Sequence, residues 1–137
     1  MSFFDDVVAF HERFCQPHPG NTRPRLMDAQ MLEFRMALIN EELDEFVKAH
    51  ARGDLPEAID GLVDIAYVIL GTAAVMGAPF DDHWAEVHRA NIDKVPTPGP
   101  NPAIVKPTKP PGWRGPDHET ILRAQWRKRC DQGGILS

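Results

Sequence analysis

Residues 38–72 read LINEELDEFVKAHARGDLPEAIDGLVDIAYVILGT, and the fold is decided in this stretch, where two helical patterns meet at Gly53. Upstream, from Asp28 as N-cap to His50, no glycine or proline intervenes. Leu32, Met36, Ile39, Leu43 and Phe46 recur there near the helical period, which predicts one long amphipathic helix. Gly53 ends it. Asp54, with Glu57 three residues on and Pro56 in the first turn, starts another. This second helix should run to about Met76, where Gly77 and Pro79 stop it. The joining turn is short, so the two helices are expected to lie antiparallel. From Leu62 on, the second is apolar on nearly every face. A helix of that kind must be surrounded, which predicts packing against further copies of the chain.

Both helices carry acids. Glu42 and Glu45 are three residues apart and Glu41 lies four before Glu45, so these three share roughly one side. On the second helix Asp60 and Asp64 are one turn apart, and Asp64 has Val63, Ile65 and Ala66 around it. A carboxylate buried there without partners is costly and needs donors, protonation or a cation. Brought opposite one another across the hairpin, Glu41, Glu42, Glu45, Asp60 and Asp64 would repel strongly, and a divalent ion would remove that repulsion. An all-oxygen donor set without cysteine or histidine favours magnesium or manganese over zinc. Glu41 to Glu45 alone would read as an ordinary solvated face; Asp64 tips the reading toward a metal. A di-iron bundle would require Glu-x-x-His on two helices. No glutamate stands three residues before any of the six histidines.

The rest of the chain is read outward from this hairpin. Ser2 with Asp5 caps a first helix whose apolar residues Phe3, Val7, Phe10 and Phe14 recur at helical spacing. Residues 16–24 hold three prolines and form a loop. Asp81 caps a fourth helix from about Asp82 to Val95. Eight of the 13 prolines lie between Pro96 and Pro116, which predicts an extended arm. A short helix from Asp117 to about Cys130 follows, then a frayed tail at Gly133 and Gly134. No strand pattern and no internal repeat stand out. The expected fold is all-α, with antiparallel helix hairpins forming a four-helix-bundle-like core completed by oligomerisation. Residues 1–95 form the helical domain that carries the acids in this reading, and residues 96–137 the Pro-rich arm and C-terminal helix.

With 137 residues, 42% hydrophobic and 26% charged, the composition is that of a soluble globular protein with one modest core. The net charge of −5 disfavours broad binding to nucleic acid or anionic membrane. The basic cluster Arg123, Arg127, Lys128 and Arg129 is too small a footprint to reverse that and reads as a solvated helix face. Cys15 and Cys130 lie far apart, outside any metal-ligand spacing, and are expected as free thiols in a reducing cytoplasm. The N-terminus, MSFFDDVVAF, lacks the basic start of a signal peptide. Leu62 to Phe80 is apolar enough to suggest a membrane span, but Asp64, Pro79 and two glycines weaken that, and a buried core helix is expected.

The Glu41-Glu42-x-x-Glu45 motif followed by an acidic helix resembles the MazG-like all-α nucleoside triphosphate pyrophosphohydrolases, the superfamily that includes phosphoribosyl-ATP pyrophosphohydrolase and dimeric dUTPases. The segments His88–Val95 and Lys109–Trp113 are similar to its phage and bacterial branch. The resemblance implies a homodimer or homotetramer and magnesium-dependent hydrolysis of a nucleoside triphosphate to monophosphate and pyrophosphate. It makes Glu42, Glu45 and Asp64 metal ligands, gives Glu41 the attacking water, and assigns Asn91 and Lys94 to substrate. One departure stands out. The family pattern has Glu-x-x-Asp on the third helix, whereas here Gly61 stands three residues before Asp64, with Asp60 as a substitute fourth ligand. A catalytically silent nucleotide-binding or oligomeric scaffold is the alternative. Arg35, seven residues before Glu42, is expected to pair with a carboxylate.

Overall fold

The computed structural model describes residues 1–131; the predicted tail at Gly133 and Gly134, and the Arg129 side chain, lie outside the described residues. The chain forms two units, Met1–Phe80 and Asp81–Ser137. In order, the elements are α1 (Phe3–Arg13), α2 (Ala29–Ala51), α3 (Leu55–Val75), α4 (Phe80–Ile92), β1 (Val95–Pro98), β2 (Val105–Thr108) and α5 (His118–Asp131). Helix dominates, as the sequence predicts, but one two-stranded sheet is present.

In the first unit α1 opens with a complete capping box: the Asp5 amide donates to Ser2 Oγ at 3.1 Å, and the Ser2 amide donates to Asp5 Oδ2 at 2.7 Å. Its inward face is not the predicted one. Phe4, Val7 and His11 are buried, while Phe3, Phe10 and Phe14 are exposed. The stripe is shifted by one residue because a histidine takes the inward position: His11 Nδ1–H donates to the Pro17 carbonyl at 2.7 Å and so tolerates burial. Phe10 instead lies along the margin, its ring edge-on to Tyr67 of α3 at 5.6 Å.

α2 and α3 form the antiparallel hairpin. The Asp28 carboxylate accepts from the Met31 amide at 2.8 Å and caps α2. At the other end Gly53, at φ +74°, takes the left-handed conformation, with its amide on the His50 carbonyl and the Asp54 amide on the Ala49 carbonyl. That is a Schellman ending. Asp54 then caps α3, accepting from the Glu57 amide at 3.2 Å, so three residues reverse the chain.

Between these helices the buried line along α2 is Arg35 and Ala49, with Glu42 and Phe46 half-buried; along α3 it is Ala58, Gly61, Gly71, Ala74 and Val75. This differs from the predicted stripe of α2. Leu32, Met36 and Leu43 are exposed, as are Leu55, Ile59, Leu62 and Val63 of α3. The expectation that α3 is surrounded is therefore not met within one chain. By length and composition alone α3 could cross a membrane. α3 lies directly against the α2 backbone at Gly61, where an added Cβ would stand 3.1 Å from both Cα and Cβ of Phe46. α3 ends at Val75, two residues before Gly77 at φ +71°, and the preceding loop passes over this end: the Arg25 amide donates to the Met76 carbonyl at 2.9 Å.

In the second unit the Pro-rich segment is not simply an extended arm. β1 and β2 pair antiparallel, with Val95 opposite Thr108 and Pro98 opposite Val105. A two-stranded ribbon leaves one edge of each strand free, and prolines are tolerated on edges. Thr97 Oγ1 lies 2.6 Å from Thr108 Oγ1. The chain after the ribbon is fastened to α4: Trp113 Nε1–H donates to the Ala90 carbonyl at 2.7 Å, and Arg89 Nη2 donates to the Gly115 carbonyl at 3.2 Å. Glu86 receives Arg89 at 2.8 Å and the Asp117 amide at 3.0 Å. Cys15 and Cys130 are free and exposed.

Two outcomes test this reading. Gly61→Leu forces a side chain against the Phe46 backbone and should lower the unfolding free energy by about 1–3 kcal/mol in urea titrations, the usual cost of overpacking. The Glu86 carboxyl is held down from 4.5 to about 2, chiefly by its hydrogen bond to Arg89 and then by the Asp117 amide. A depressed carboxyl stabilises the fold fully above its unfolded value, and that contribution is lost as pH falls through the folded one. Far-ultraviolet circular dichroism should therefore show a loss of stability between pH 4.5 and about 2 that Glu86→Gln removes.

Candidate functional site

The antiparallel register set at Gly61 and Phe46 decides where the acids fall. Glu42 lies one turn before Phe46 on α2, and Asp64 nearly one turn after Gly61 on α3, so both leave the contact on the same side. Glu42 and Asp64 are half-buried, whereas Glu41, Glu45 and Asp60 are exposed. Asp64 is thus less enclosed than its apolar neighbours suggested. The electrostatics identify Glu42 as the focus: partial burial, then Asp64, Glu45, Glu41 and Asp60 in that order, push its carboxyl above the usual range. The other four acids singled out from the sequence therefore all act on this one carboxylate.

Asp44, on the outer side of α2, pairs with Lys48 at 2.6 Å. Among the described residues none of the five inner acids has such a partner. No three aspartate, glutamate, histidine or cysteine side chains are gathered into a ready cage among the described residues either. Like charges without a counter-ion favour separated rotamers. The donor set nonetheless suits a hard divalent cation: it is all oxygen, it is unpaired, and it includes a half-buried carboxylate whose charge is disfavoured as it stands.

The place of Gly61 has a physical reason. A side chain there would meet the α2 backbone at 3.1–3.2 Å, so this position cannot carry the glutamate of the Glu-x-x-Asp pattern without pushing the helices apart. Any second carboxylate of α3 must come from a neighbouring face, where Asp60 stands.

Arg35 corrects the sequence reading. It forms no ion pair among the described residues. It is only 6% exposed, with Nε donating to Thr72 Oγ1 at 3.0 Å and Nη2 to the Val68 carbonyl at 2.7 Å. Both contacts reach α3, so Arg35 fastens the hairpin where Gly71 leaves room; an added Cβ on Gly71 would meet Arg35 Nη2 at 2.6 Å and His11 Nε2 at 3.0 Å. Burial pushes His11 below its usual range against the opposing pull of the Pro17 carbonyl, and nearby Arg35 adds to the lowering. His11 is therefore neutral beside a buried cation. Sequence reasoning missed this group; the signal was Gly71 and Thr72 on α3 in register with Arg35.

Asn91 and Lys94 come together at the end of α4, Lys94 Nζ donating to Asn91 Oδ1 at 2.8 Å. The helix stops at Ile92, earlier than the predicted Val95, because Asp93 turns to Arg89 at 2.9 Å and β1 begins at Val95. Of three aromatic side chains with rings large enough to stack on a base, Trp84 and Phe14 are exposed and Trp113 is half-buried.

Residues 7–91 match the family profile of phosphoribosyl-ATP pyrophosphohydrolase. This chain belongs to that family. The family is part of the MazG-like all-α superfamily, and its pyrophosphohydrolases typically use a divalent metal. The matched stretch covers the helix hairpin, all five acids and Asn91, and stops short of Lys94. A relative is the uncharacterized protein L479 of Acanthamoeba polyphaga mimivirus, 33% identical over 86 residues, which are 60% of this chain and 32% of that protein. The chain thus matches about a third of the length of that relative.

The strained carboxylate offers a direct test. Like charges at neighbouring helical positions cost about 0.2–0.5 kcal/mol per pair. Glu42→Gln should therefore raise the thermal midpoint in chelator by roughly 2–4 °C. Added magnesium should raise the midpoint of the wild type more than that of the variant.

Proposed function

We propose that the chain hydrolyses a nucleoside or deoxynucleoside triphosphate between its α and β phosphates, releasing the monophosphate and pyrophosphate. The observation that carries this is the half-buried Glu42, on which Asp64, Glu45, Glu41 and Asp60 converge from two helices of a phosphoribosyl-ATP pyrophosphohydrolase family member. Glu42, Glu45 and Asp64 would hold magnesium, or manganese in its place, with Asp60 as the fourth ligand. Bound there, the ion supplies neutralisation of phosphate charge during an in-line displacement at phosphorus. Glu41 orients or deprotonates the attacking water from the exposed side of the same helix turn. Asn91 and Lys94 take sugar or phosphate oxygens, Lys94 through the two ammonium donors left after its bond to Asn91.

The working form is a homodimer or homotetramer. Exposed Leu32, Met36, Leu43 and Val47 on α2, and Leu55, Ile59, Leu62 and Val63 on α3, support it, since so much apolar surface is unusual on a monomer. A second copy, not nucleic acid or membrane, is the partner in this reading, and the two free thiols suit the cytoplasm. The segments His88–Val95 and Lys109–Trp113 support a place in the phage and bacterial branch, with housecleaning of the nucleotide pool as the role.

Gly61 favours a second reading, a catalytically silent nucleotide-binding or oligomeric scaffold, because it stands where the family pattern carries an acid. The two separate in one assay. Pyrophosphate release is measured with magnesium over a panel of ribo- and deoxynucleoside triphosphates, deoxyuridine and deoxycytidine triphosphates first, with phosphoribosyl-ATP included because of the family. Turnover by the wild type should fall at least a hundredfold, an estimate on the order of 3 kcal/mol of lost transition-state stabilisation, in Glu42→Ala. No turnover of any compound by the wild type leaves the scaffold.

A further inference from the structure

Two lysines flank the ribbon, Lys94 before it and Lys109 after it, and with Trp113 they form a group that the reading above uses only in part. Trp113 is fixed in three ways. Its indole N–H donates to the Ala90 carbonyl at 2.7 Å, its amide donates to the Pro110 carbonyl at 3.0 Å, and Gly112 at φ +78° makes the turn before it. Over this ring stand Lys109 Nζ, 4.7 Å from the centroid, and Lys94 Nζ at 5.7 Å.

Two ammonium groups drawn to one indole repel each other, and each cation–π contact at an exposed site is worth only about 0.5–1 kcal/mol. Among the described residues neither lysine has an ion-pair partner; the neighbouring acid Asp93 is engaged by Arg89 at 2.9 Å. Lys94 is held in place by Asn91, and Pro110 restricts the backbone of Lys109 to extended conformations. The positive charge is thus concentrated and largely pre-ordered, which lowers the entropic cost of seating an anion. A single phosphate would satisfy one ammonium. A polyphosphate chain carries charge along its length and satisfies both.

We propose that Lys109, with Lys94, forms a polyphosphate seat on the Trp113 indole, Lys109 being a further substrate-binding residue. Lys109 and Trp113 lie beyond the stretch matched by the family. The proposal rests on the hydrolase reading only for naming the bound molecule as the phosphate chain of a nucleotide. Binding of the chain itself follows from the two cations.

The test is calorimetric titration of the full chain with inorganic tripolyphosphate in chelator, so that no metal takes part. Lys109→Gln, which keeps the aliphatic stem over the ring, should weaken binding about tenfold, the usual order for one charged hydrogen bond. Lys109→Arg should stay within about threefold of the wild type, since both side chains keep the charge. Lys128→Ala removes one charge from α5 and should change affinity less than about twofold at moderate salt. Equal affinity of wild type and Lys109→Gln overturns the seat, as does failure of the wild type to bind, or an equal loss in Lys128→Ala. A purely structural lysine would lower the melting temperature and leave affinity unmoved, which also overturns it. Loss of binding in Lys109→Gln beside a wild type that turns over no nucleotide keeps the seat and removes the hydrolase. Turnover with unchanged KM and unchanged affinity in Lys109→Gln does the reverse.

Discussion

The contact between Gly61 and the backbone of Phe46 is the constraint on which the first unit depends. Ordinary helix pairs stand 8–10 Å apart, a spacing set by the side chains at the crossing. Here one partner contributes none. With the close point set, the antiparallel register brings the buried Ala49 and Ala58 to the turn end and Arg35 and Thr72 to the far end. The acids flank the middle. The same glycine therefore brings the carboxylates of α2 and α3 together and denies α3 a carboxylate at the crossing itself.

Charge is divided unevenly along this hairpin. At the Gly71 end a buried guanidinium is satisfied by neutral oxygens, the Thr72 hydroxyl and the Val68 carbonyl, and is accompanied by a histidine whose proton affinity burial has lowered. Around Glu42 the balance is opposite, with five carboxylates none of which forms an ion pair among the described residues. Neither end neutralises the other through a salt bridge. An arginine that saturates itself on neutral acceptors stays out of the acidic group and leaves those carboxylates available to an external charge.

In the second unit backbone rather than side-chain packing carries most of the order. Prolines between Pro96 and Pro116 remove amide donors and stiffen the chain, yet the ribbon forms because its length is short and each strand has a free edge. Glu86, Arg89 and Ala90 then fasten the following segment to α4 through main-chain groups. Those contacts hold Trp113 still and place Lys94 and Lys109 over it.

Local chemistry in the sequence was enough to determine the helices and most of their ends, α4 being the exception: it begins at Phe80, with Asp81 inside its first turn rather than capping it, and stops at Ile92. Ser2, Asp28 and Asp54 act as caps, and Gly53 and Gly77 as stops, because capping and positive φ are decided within a few residues. The acidic grouping was legible for the same reason, as a spacing on each of two helices joined by a short turn. Which face of each helix turns inward was not. α1 buries Phe4, Val7 and His11 rather than Phe3, Phe10 and Phe14, and α2 buries Arg35 while exposing Leu32 and Met36. Hydrophobicity alone cannot foresee that a histidine or arginine finds acceptors inside. The ribbon among the prolines, the clasp of Trp113 on Ala90 and the role of Gly61 were likewise settled by tertiary structure, since each depends on a partner far away in the chain.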